Sequence, residues 1–413
     1  MLAQMLWLCL AAATTAATTT AAAGDTSPPL PADGVDAARG LLTRLLPGHA
    51  DSFELTALDP SSCKGKTAKC FGYSASPGGK VSIRGTSGVE LSMAINHYLK
   101  YVANVSVSWE QTGGNQLSLP PDLPPPPATV HVERSTDIHY YANVCTFSYI
   151  FVWYSLADWV REIDWMALNG INLPLAYTGQ EAIYQKLYNQ FGVSNDSLSE
   201  YFGGPAFLAW NRGQGLQAWG GKMDQPGLPG LPPLSYAVGL PQSWIDGQWE
   251  LQRQILPLMR AFGMKPVLPG FQGNVPIALH YKYPAANISR VGTPRNPLRA
   301  AFACAAWIDA LDPLFNKLSD AYMKLLIEDF GTDHYYAADG TFSHAAAPWY
   351  SLAEAQQDPA FLEASAGSVG PPPPPPPSPI AIDMEAFNHS AAAYAGMSRT
   401  DPKAKWVYQV RSN

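Results

Sequence analysis

The feature that most constrains this chain is a repeated alternation of short apolar strands with amphipathic helices, which begins near residue 140. Strand patterns occur at residues 140–145, 171–177, 264–269, 334–338 and 405–410. Helical spacing marks residues 157–168, 180–191, 249–262, 313–330 and 391–397. Such an alternation predicts parallel strands joined by crossover helices, as in a (β/α) barrel or a doubly wound sheet.

The same pattern favours a barrel that is incomplete within the 413 residues. No glycine-rich phosphate-binding loop follows any of the predicted strands, which disfavours a nucleotide-binding fold. A (β/α)8 barrel needs eight strands, so we expect the last barrel strands to be missing. The proline run 371–377 cannot belong to a helix or a central strand, and we interpret residues 358–382 as an insertion.

A smaller α/β domain is predicted ahead of the barrel, at residues 32–130. Its expected helices and strands lie at residues 36–46 and 88–105, and at residues 53–58, 80–84 and 105–109. The proline-dense stretch 120–127 is interpreted as a linker. The predicted fold is therefore a small N-terminal α/β domain followed by a partial (β/α)8 TIM-type barrel at residues 139–413.

The N-terminus indicates export from the cytosol. Residues 1–23 are rich in apolar, Ala and Thr residues and end in small side chains, so we interpret them as a signal peptide. No later stretch is apolar over the ~18 residues that a membrane helix requires, and we expect no membrane partner. Asn-X-Ser sequons predict N-linked glycans at Asn104, Asn195, Asn287 and Asn388. The expected location is the secretory pathway, with the lysosome, the vacuole or the extracellular space as destination.

The cysteines give a choice between a disulfide and a metal site. Loss of Cys9 with the leader leaves Cys63, Cys70, Cys145 and Cys304. Cys63 and Cys70 flank a short Lys/Gly-rich stretch, and their spacing suits a small disulfide loop in an oxidising compartment or a metal. Neither Cys145 nor Cys304 has a partner at ligand spacing, so we expect no zinc and no cofactor.

Composition narrows the class of ligand. Charged residues make up 14% of the chain and the net charge is -7, so the chain has no clustered basic surface for nucleic acid. The chain also contains 12 Trp and 20 Tyr residues. This composition suits a neutral ligand with apolar faces, of which sugars are one class.

In a barrel, reactive groups follow the C-terminal ends of the strands. We expect Asn143 and Asp339 at such positions either to contact a sugar or only to shape a turn. Trp210 is a candidate for stacking on a sugar, with burial in the core as the alternative. Cys145 fits a buried small side chain, and Glu181 fits a structural role at a helix start.

Several runs of residues resemble one known family of glycoside hydrolases, the α-N-acetylglucosaminidases. The matching runs are Tyr-Ala-Asn-Val-Cys-Thr at 141–146, Arg-Glu-Ile-Asp-Trp-Met-Ala-Leu-Asn-Gly-Ile-Asn-Leu at 161–173, Gly-Gln-Glu-Ala-Ile at 179–183, Gly-Pro-Ala-Phe-Leu-Ala-Trp at 204–210, Phe-Gly-Met-Lys-Pro-Val-Leu-Pro at 262–269 and Phe-Gly-Thr-Asp-His at 330–334. Val-Ser-Ile-Arg-Gly-Thr-Ser-Gly-Val at 81–89 extends the resemblance into the first domain.

The resemblance implies a lysosomal or secreted exo-hydrolase that removes terminal α-linked N-acetylglucosamine, as from heparan sulfate, with retention of configuration. It also implies a small α/β domain, a (β/α)8 barrel and an all-helical C-terminal domain. By motif match, Asn143 and Cys145 would line the sugar subsite and Trp210 would form its wall. The implied partner is a glycan with terminal α-linked N-acetylglucosamine.

Two departures from the family concern catalysis. Family members carry Ala-Asp-Thr-Phe-Asn-Glu after the fourth barrel strand, and its Glu is the general acid/base. Here Ala-Asp-Gly-Thr-Phe-Ser-His at 338–344 puts His344 at that position, while Glu354 and Glu385 are weaker substitutes outside the motif. The chain stops at Asn413, ahead of the family's nucleophilic Glu and helical domain.

A retaining glycosidase needs two carboxyl groups that face each other across the scissile bond. A histidine can donate a proton at mildly acidic pH, but it does not replace the opposed carboxylate. The sequence therefore predicts a truncated family member that is inactive as written, and its catalytic residues are unknown. A non-catalytic glycan-binding pseudo-enzyme is the alternative.

Overall fold

The computed structural model describes residues 31–108, 115–202, 224–225, 234–235, 240–290, 305–338 and 384–408. The predicted signal peptide and the predicted insertion at 358–382 lie outside these residues. Across the described ranges, every helix is too short or too polar to cross a membrane.

Strands lie at Phe53–Ala57 (β1), Cys70–Ala75 (β2), Val81–Gly85 (β3), Val130–Glu133 (β4), Tyr140–Tyr141 (β5), Leu173–Pro174 (β6), Asp224–Gln225 (β7), Leu234–Ser235 (β8), Leu268–Pro269 (β9), Asn274–Pro276 (β10), Ile288–Arg290 (β11), Ala305–Ile308 (β12), Tyr335–Ala337 (β13) and Lys405–Val407 (β14). Helices lie at Gly34–Leu45 (α1), Gly88–Tyr101 (α2), Leu156–Leu168 (α3), Gln180–Gln190 (α4), Asn195–Tyr201 (α5), Gln242–Ala261 (α6), Ile277–Lys282 (α7), Pro313–Phe330 (α8) and Met384–Thr400 (α9).

The first part of the chain forms a four-stranded mixed sheet in the order β1-β3-β2-β4. The β1–β3 pair is parallel, whereas β2 is antiparallel to both β3 and β4. Strand β3 alternates buried and half-buried residues, as its sequence pattern predicts. Side-chain caps from Asp33 and Ser87 begin α1 and α2, which pack on each other and against this sheet.

Two expectations for this part need correction. The strand predicted at residues 105–109 is wrong: of the described residues there, only Ser106 pairs, in an isolated bridge with Gln116.

The stretch 120–127, interpreted as a linker, packs on α2. Leu123 is buried, and the Tyr98 hydroxyl donates a hydrogen bond to the Pro124 carbonyl at 2.8 Å. This packing leads the chain into β4, which the sequence did not predict.

The second part contains five parallel strands in sequence order, β5, β6, β9, β13 and β14. Parallel pairing joins β5 to β6, β9 to β13 and β13 to β14, and a parallel bridge between Leu175 and Val267 links β6 to β9. Helices α3, α4, α6, α8 and α9 lie in the connections between successive strands. This is the arrangement of successive β/α units of a TIM-type barrel, and it confirms the predicted partial barrel.

A second, antiparallel sheet of order β10-β12-β11 interrupts the connection between β9 and α8. The sequence did not predict it, nor the short helices α5 and α7. Because this connection follows the C-terminal end of β9, the extra sheet lies at the end of the barrel where barrel sites form.

Candidate functional site

The C-terminal ends of the parallel strands lie side by side. The Ala176 amide donates to the Val267 carbonyl at 2.9 Å, and the Gly270 amide donates to the Ala337 carbonyl at 2.8 Å. These bonds hold the loops after β6, β9 and β13 at one edge of the sheet. The Leu175 amide donates to the Tyr141 carbonyl at 2.6 Å, which brings the loop after β5 to the same edge.

The loop after β5 carries Asn143, whose side chain is exposed. Its carbonyl accepts hydrogen bonds from the amide of Thr146 at 3.1 Å and from the hydroxyl of Thr146 at 2.5 Å, which close a short 3-10 turn at Val144–Ser148. Val144 and Phe147 are buried and anchor that turn in the core. The predicted ligand residue Asn143 is therefore held in a fixed position at the strand ends.

The loop after β6 is more tightly packed. Tyr177 is buried, and its hydroxyl donates to the Ala337 carbonyl of β13 at 3.3 Å. Gly179 has a φ of 76°, and a Cβ there would lie 2.8 Å from the carbonyl oxygen of Gln248. Glu181 follows in the first turn of α4 and is 1% exposed. Its place in the first turn of a helix fits the structural role that the sequence predicts.

Several buried polar atoms near these strand ends have no hydrogen-bond partner among the described residues. They are the Thr178 hydroxyl oxygen, the Gln272 amide oxygen and both amide atoms of Asn274. Most buried polar groups in native proteins are hydrogen-bonded, and exceptions commonly coincide with function. These groups offer the amide and hydroxyl chemistry that a neutral polar ligand needs.

A group of buried tyrosines lies behind the strand ends. Burial raises the pKa of Tyr188 and Tyr322 well above the ordinary value, so both remain neutral hydrogen-bond donors. The Tyr322 hydroxyl donates to the Pro269 carbonyl at 3.2 Å, and the Tyr188 hydroxyl donates to the Asn274 carbonyl. The tyrosines therefore fix the backbone of β9 and β10 from the outside.

Other described carboxylates at this end of the barrel have structural partners. Asp309 lies 2.8 Å from the ring nitrogen Nε2 of His389, and it accepts a hydrogen bond from the Asn287 side chain at 2.9 Å. Asp312 caps α8 by accepting from the Leu314 amide at 2.7 Å. Neither Asp309 nor Asp312 has the partners expected of an opposed catalytic pair.

The remaining predicted site residues have a limited description. Trp210, Asp339, His344 and Glu354 lie outside the described residues, although the chain is described through Ala338, which follows β13. For Cys145 and Glu385 the structure gives the backbone alone, in the turn after β5 and at the beginning of α9.

Sequence reasoning missed one residue beside the site, Glu162. This glutamate of α3 is 1% exposed, and its carboxylate accepts hydrogen bonds from the hydroxyls of Tyr141 at 2.8 Å and Tyr154 at 3.4 Å. Burial raises the pKa of Glu162, although the two tyrosine hydrogen bonds oppose this shift. The available signal was its position on the buried stripe of α3, three residues after Trp159 and four before Met166.

The predicted glycosylation sites lie on the surface. The side chains of Asn104, Asn195, Asn287 and Asn388 are all exposed. Cys63 and Cys70 are joined in a disulfide with a Cα–Cα distance of 5.6 Å, which favours the disulfide over the metal site that the same spacing allowed.

Comparison with known proteins gives the same family for both parts of the chain. Residues 36–125 match the alpha-N-acetylglucosaminidase (NAGLU) N-terminal domain, and residues 139–229 and 233–370 match the alpha-N-acetylglucosaminidase (NAGLU) tim-barrel domain. Alpha-N-acetylglucosaminidase of Homo sapiens is 35% identical over 376 residues, which cover 90% of this chain and 43% of the human protein. The chain thus spans less than half the length of this relative.

Solved structures of a glycoside hydrolase also match this chain. The family 89 glycoside hydrolase from Clostridium perfringens in complex with 2-acetamido-1,2-dideoxynojirmycin has a TM-score of 0.68 and 25% identity, over 92% of this chain and 37% of that one. A variant of this enzyme with two Glu-to-Gln substitutions, in complex with its substrate GlcNAc-α-1,4-galactose, has a TM-score of 0.68 and 25% identity. That match covers 91% of this chain and 36% of the other.

Proposed function

Because this chain belongs to the α-N-acetylglucosaminidase family, we propose that its partial barrel recognises the terminal α-linked N-acetylglucosamine of a glycan. The observation that carries the proposal is the exposed Asn143, held on a rigid turn where the loops after β5, β6 and β9 meet. A bacterial relative in complex with GlcNAc-α-1,4-galactose supports the choice of ligand.

The proposed contacts follow from the chemistry of the sugar. Asn143 supplies an amide for hydroxyl or acetamido groups, and Asp339 supplies a carboxylate that accepts hydrogen bonds from hydroxyls. Trp210 offers an apolar face, and Cys145 a small side chain against the ring. This set binds a neutral ligand without a metal or a cofactor.

We propose that these 413 residues bind the sugar without hydrolysing its glycosidic bond. Hydrolysis with retention needs two carboxyl groups about 5 Å apart. The described carboxylates at the strand ends, Glu181, Asp309 and Asp312, serve helix starts and side-chain pairs instead. His344, at the position of the family's acid, can protonate a leaving group but cannot act as the opposed carboxylate.

Hydrolysis of the same bond is the second candidate function, and the 35% identity to a hydrolase favours it. In that case Glu385, at the beginning of α9, is the alternative acid. A fluorogenic α-N-acetylglucosaminide and a binding measurement on one preparation separate the two candidates. We expect binding of GlcNAc-α-1,4-galactose by calorimetry and no fluorophore release. Turnover by the pure chain would show that the non-hydrolytic proposal is wrong.

Two variants sharpen the binding test. Asn143→Ala removes the proposed amide contact, and we expect it to weaken binding by about tenfold or more, as expected for a lost hydrogen-bonding group in a polar site. Asn189→Ala is the matched control, because Asn189 is an exposed asparagine in the last turn of α4, far along the helix from the strand ends. Absence of binding by the wild-type chain, or equal loss in both variants, would contradict the proposed site.

We also propose that the chain enters the secretory pathway and carries N-linked glycans, with a lysosomal, vacuolar or extracellular destination. The Cys63–Cys70 disulfide is typical of oxidising compartments, and the sequon asparagines are exposed. Expression in a eukaryotic host should give a product whose mobility increases on enzymatic deglycosylation. Single Asn→Gln variants at Asn104, Asn195, Asn287 and Asn388 should each remove one step of that shift.

A further inference from the structure

The buried carboxylate of Glu162 lies next to the proposed sugar site. It is 1% exposed, and α3 places it against the two tyrosines that flank the loop carrying Asn143. A carboxylate out of water is stable only when its oxygens are hydrogen-bonded. The partners described for Glu162 are the Tyr141 and Tyr154 hydroxyls, one on each oxygen.

Tyr141 connects this carboxylate to the site. It is the last residue of β5, and its carbonyl accepts a hydrogen bond from the Leu175 amide at 2.6 Å. Its ring packs against Trp165, with the ring centres 5.4 Å apart. The backbone of Tyr141 is thus fixed to β6 and its side chain to α3, two residues before Asn143.

Tyr154 fixes the other end of the same loop. It comes after the 3-10 turn at Ile150–Trp153 and just before Ser155, which caps α3. Its ring also packs against Phe151, with centres 5.1 Å apart. Glu162 therefore ties together both ends of the segment 141–154.

We propose that Glu162 is a positioning residue, which holds the Asn143 loop through Tyr141 and Tyr154 and makes binding of the terminal N-acetylglucosamine depend on pH. This inference rests on the proposed function. The ionised carboxylate accepts charge-assisted hydrogen bonds from both hydroxyls. The protonated acid accepts more weakly, so the loop is held less firmly at acidic pH and the affinity for the sugar falls.

Of Glu162, Tyr141 and Tyr154, Glu162 is the residue whose side chain changes its protonation state. Burial raises the pKa of Tyr141 and Tyr154 far beyond the physiological range, so both remain donors. Asp158 and Arg161, on α3 itself, act on Tyr154 rather than on Glu162. Helices α2 and α6 pack on α3. In the described part of the chain, no titratable group of either helix acts on the Glu162 carboxylate.

The test is the affinity of the full chain for GlcNAc-α-1,4-galactose between pH 4 and pH 7.5, measured by calorimetry. For the wild type we expect a decrease of about fivefold or more on acidification, within the range of ordinary coupling between sites. Glu162→Gln keeps the shape and one acceptor but does not titrate. We expect it to bind more weakly than the wild type near neutral pH and to lose the part of the pH dependence that Glu162 causes.

A second variant keeps the test decisive if Glu162→Gln does not fold. Tyr154→Phe removes one hydrogen bond that favours the ionised carboxylate, so the midpoint of the affinity profile should move to higher pH. A simple loss of packing would not move that midpoint. Near-ultraviolet circular dichroism at each pH checks that the variants are folded.

The possible outcomes separate the two proposals. A wild-type chain that binds the disaccharide at no pH overturns the proposed function and this inference with it. A wild-type chain that binds, together with a Glu162→Gln or Tyr154→Phe profile identical to it, overturns the role of Glu162 and leaves the proposed function intact.

Discussion

At the scale of single residues, Glu90 and Arg134 form a buried ion pair. Their side chains are 2% and 4% exposed, and a carboxylate oxygen of Glu90 lies 2.7 Å from a guanidinium nitrogen of Arg134. Arg134 also donates to the Gly170 carbonyl at 2.8 Å. The pair therefore joins the end of the small sheet to the barrel.

Arg134→Met should lower the free energy of unfolding by about 3–5 kcal/mol, because it leaves the charge of Glu90 buried without its partner. Urea denaturation followed by circular dichroism measures this loss. Arg399→Met is the matched control, since Arg399 and Asp320 form a pair in which both side chains are 37% exposed. We expect the control to change the free energy by less than ~1 kcal/mol. Equal losses in the two variants would mean that breaking the buried pair costs no more unfolding free energy than breaking the exposed pair.

Asp401 gives a residue-scale prediction about pH. It accepts hydrogen bonds from the hydroxyls of Tyr336 at 2.7 Å and Thr332 at 3.0 Å and from the Lys403 amide at 3.1 Å, and His334 lies 2.8 Å away. Burial by itself raises the pKa of Asp401, but these hydrogen bonds outweigh burial and leave the pKa below its ordinary value.

A lowered pKa means that the ionised Asp401 stabilises the fold at every pH above the pKa of an unfolded aspartate, about 3.9. That stabilisation is lost as the pH falls through the lower pKa of the folded state. Between pH 5 and pH 2.5, the wild type should therefore lose more unfolding free energy than Asp401→Asn. Denaturant titrations at both pH values test this, with Asp320→Asn, which removes a carboxylate from the exposed pair with Arg399, as the comparison variant. A variant as acid-sensitive as the wild type would contradict the prediction.

Individual residues also show how far the site could be read from the sequence. Asn143 was a candidate because it follows an apolar strand, and the structure holds it, exposed, at the strand end. Glu162 was missed because a charged residue in an amphipathic helix is expected on the solvent side. Its burial depends on the Tyr141 and Tyr154 hydroxyls, and tertiary structure alone brings these to it.

At the scale of secondary-structure elements, three helix ends meet at Gly88. A Cβ on Gly88, at the start of α2, would lie 2.8 Å from the Cα of Phe262 after α6 and 3.0 Å from the carbonyl oxygen of Gly34 in α1. These are backbone atoms, which cannot move aside as a flexible side chain can. The helices approach this closely because glycine lacks a side chain.

Gly88→Ala should therefore lower the free energy of unfolding by about 1–3 kcal/mol, the usual cost of overpacking. Gly247→Ala is the control of opposite sign, because Gly247 lies within α6 and a Cβ there meets no atom within 4 Å. Alanine favours a helix interior, so this variant should gain about 0.5–1 kcal/mol. Thermal or urea unfolding of both variants measures the contrast. A stabilising Gly88→Ala would show that the helix ends are less closely packed than described.

Elements with a strong local signal could be predicted, and those that depend on a distant partner could not. The helix predicted at 313–330 begins and ends as expected, because a capping Asp312 precedes it and Gly331 follows it.

Strand β10, in contrast, contains Asn274 and Pro276, residues that disfavour a strand. It exists because it pairs with β12, across the long segment that separates Pro276 from Ala305. The expected strand at 105–109 alternates well, but among the described residues only Ser106 finds a partner, in the bridge with Gln116.

At the scale of the whole molecule, the small sheet and the barrel share a continuous buried core. Helices α2 and α3 pack on each other across the junction, and the Asn96 side chain donates to the Leu168 carbonyl at 3.0 Å. Arg44 binds Asp164 through two hydrogen bonds of 2.7 Å each. The Val89 amide donates to the Phe262 carbonyl at 3.0 Å. These contacts fix the two parts against each other.

We therefore expect the two parts to unfold in a single cooperative transition. The tryptophans allow a direct test, because the sequence between residues 31 and 138 contains only Trp109, whereas ten follow residue 139. Tryptophan fluorescence thus reports mainly on the barrel, and far-ultraviolet circular dichroism reports on both parts. Their melting curves should coincide for the wild type, and Arg134→Met should shift both together. If circular dichroism showed an earlier transition than fluorescence, the small sheet would be unfolding by itself, and the junction contacts would be too weak to couple it to the barrel.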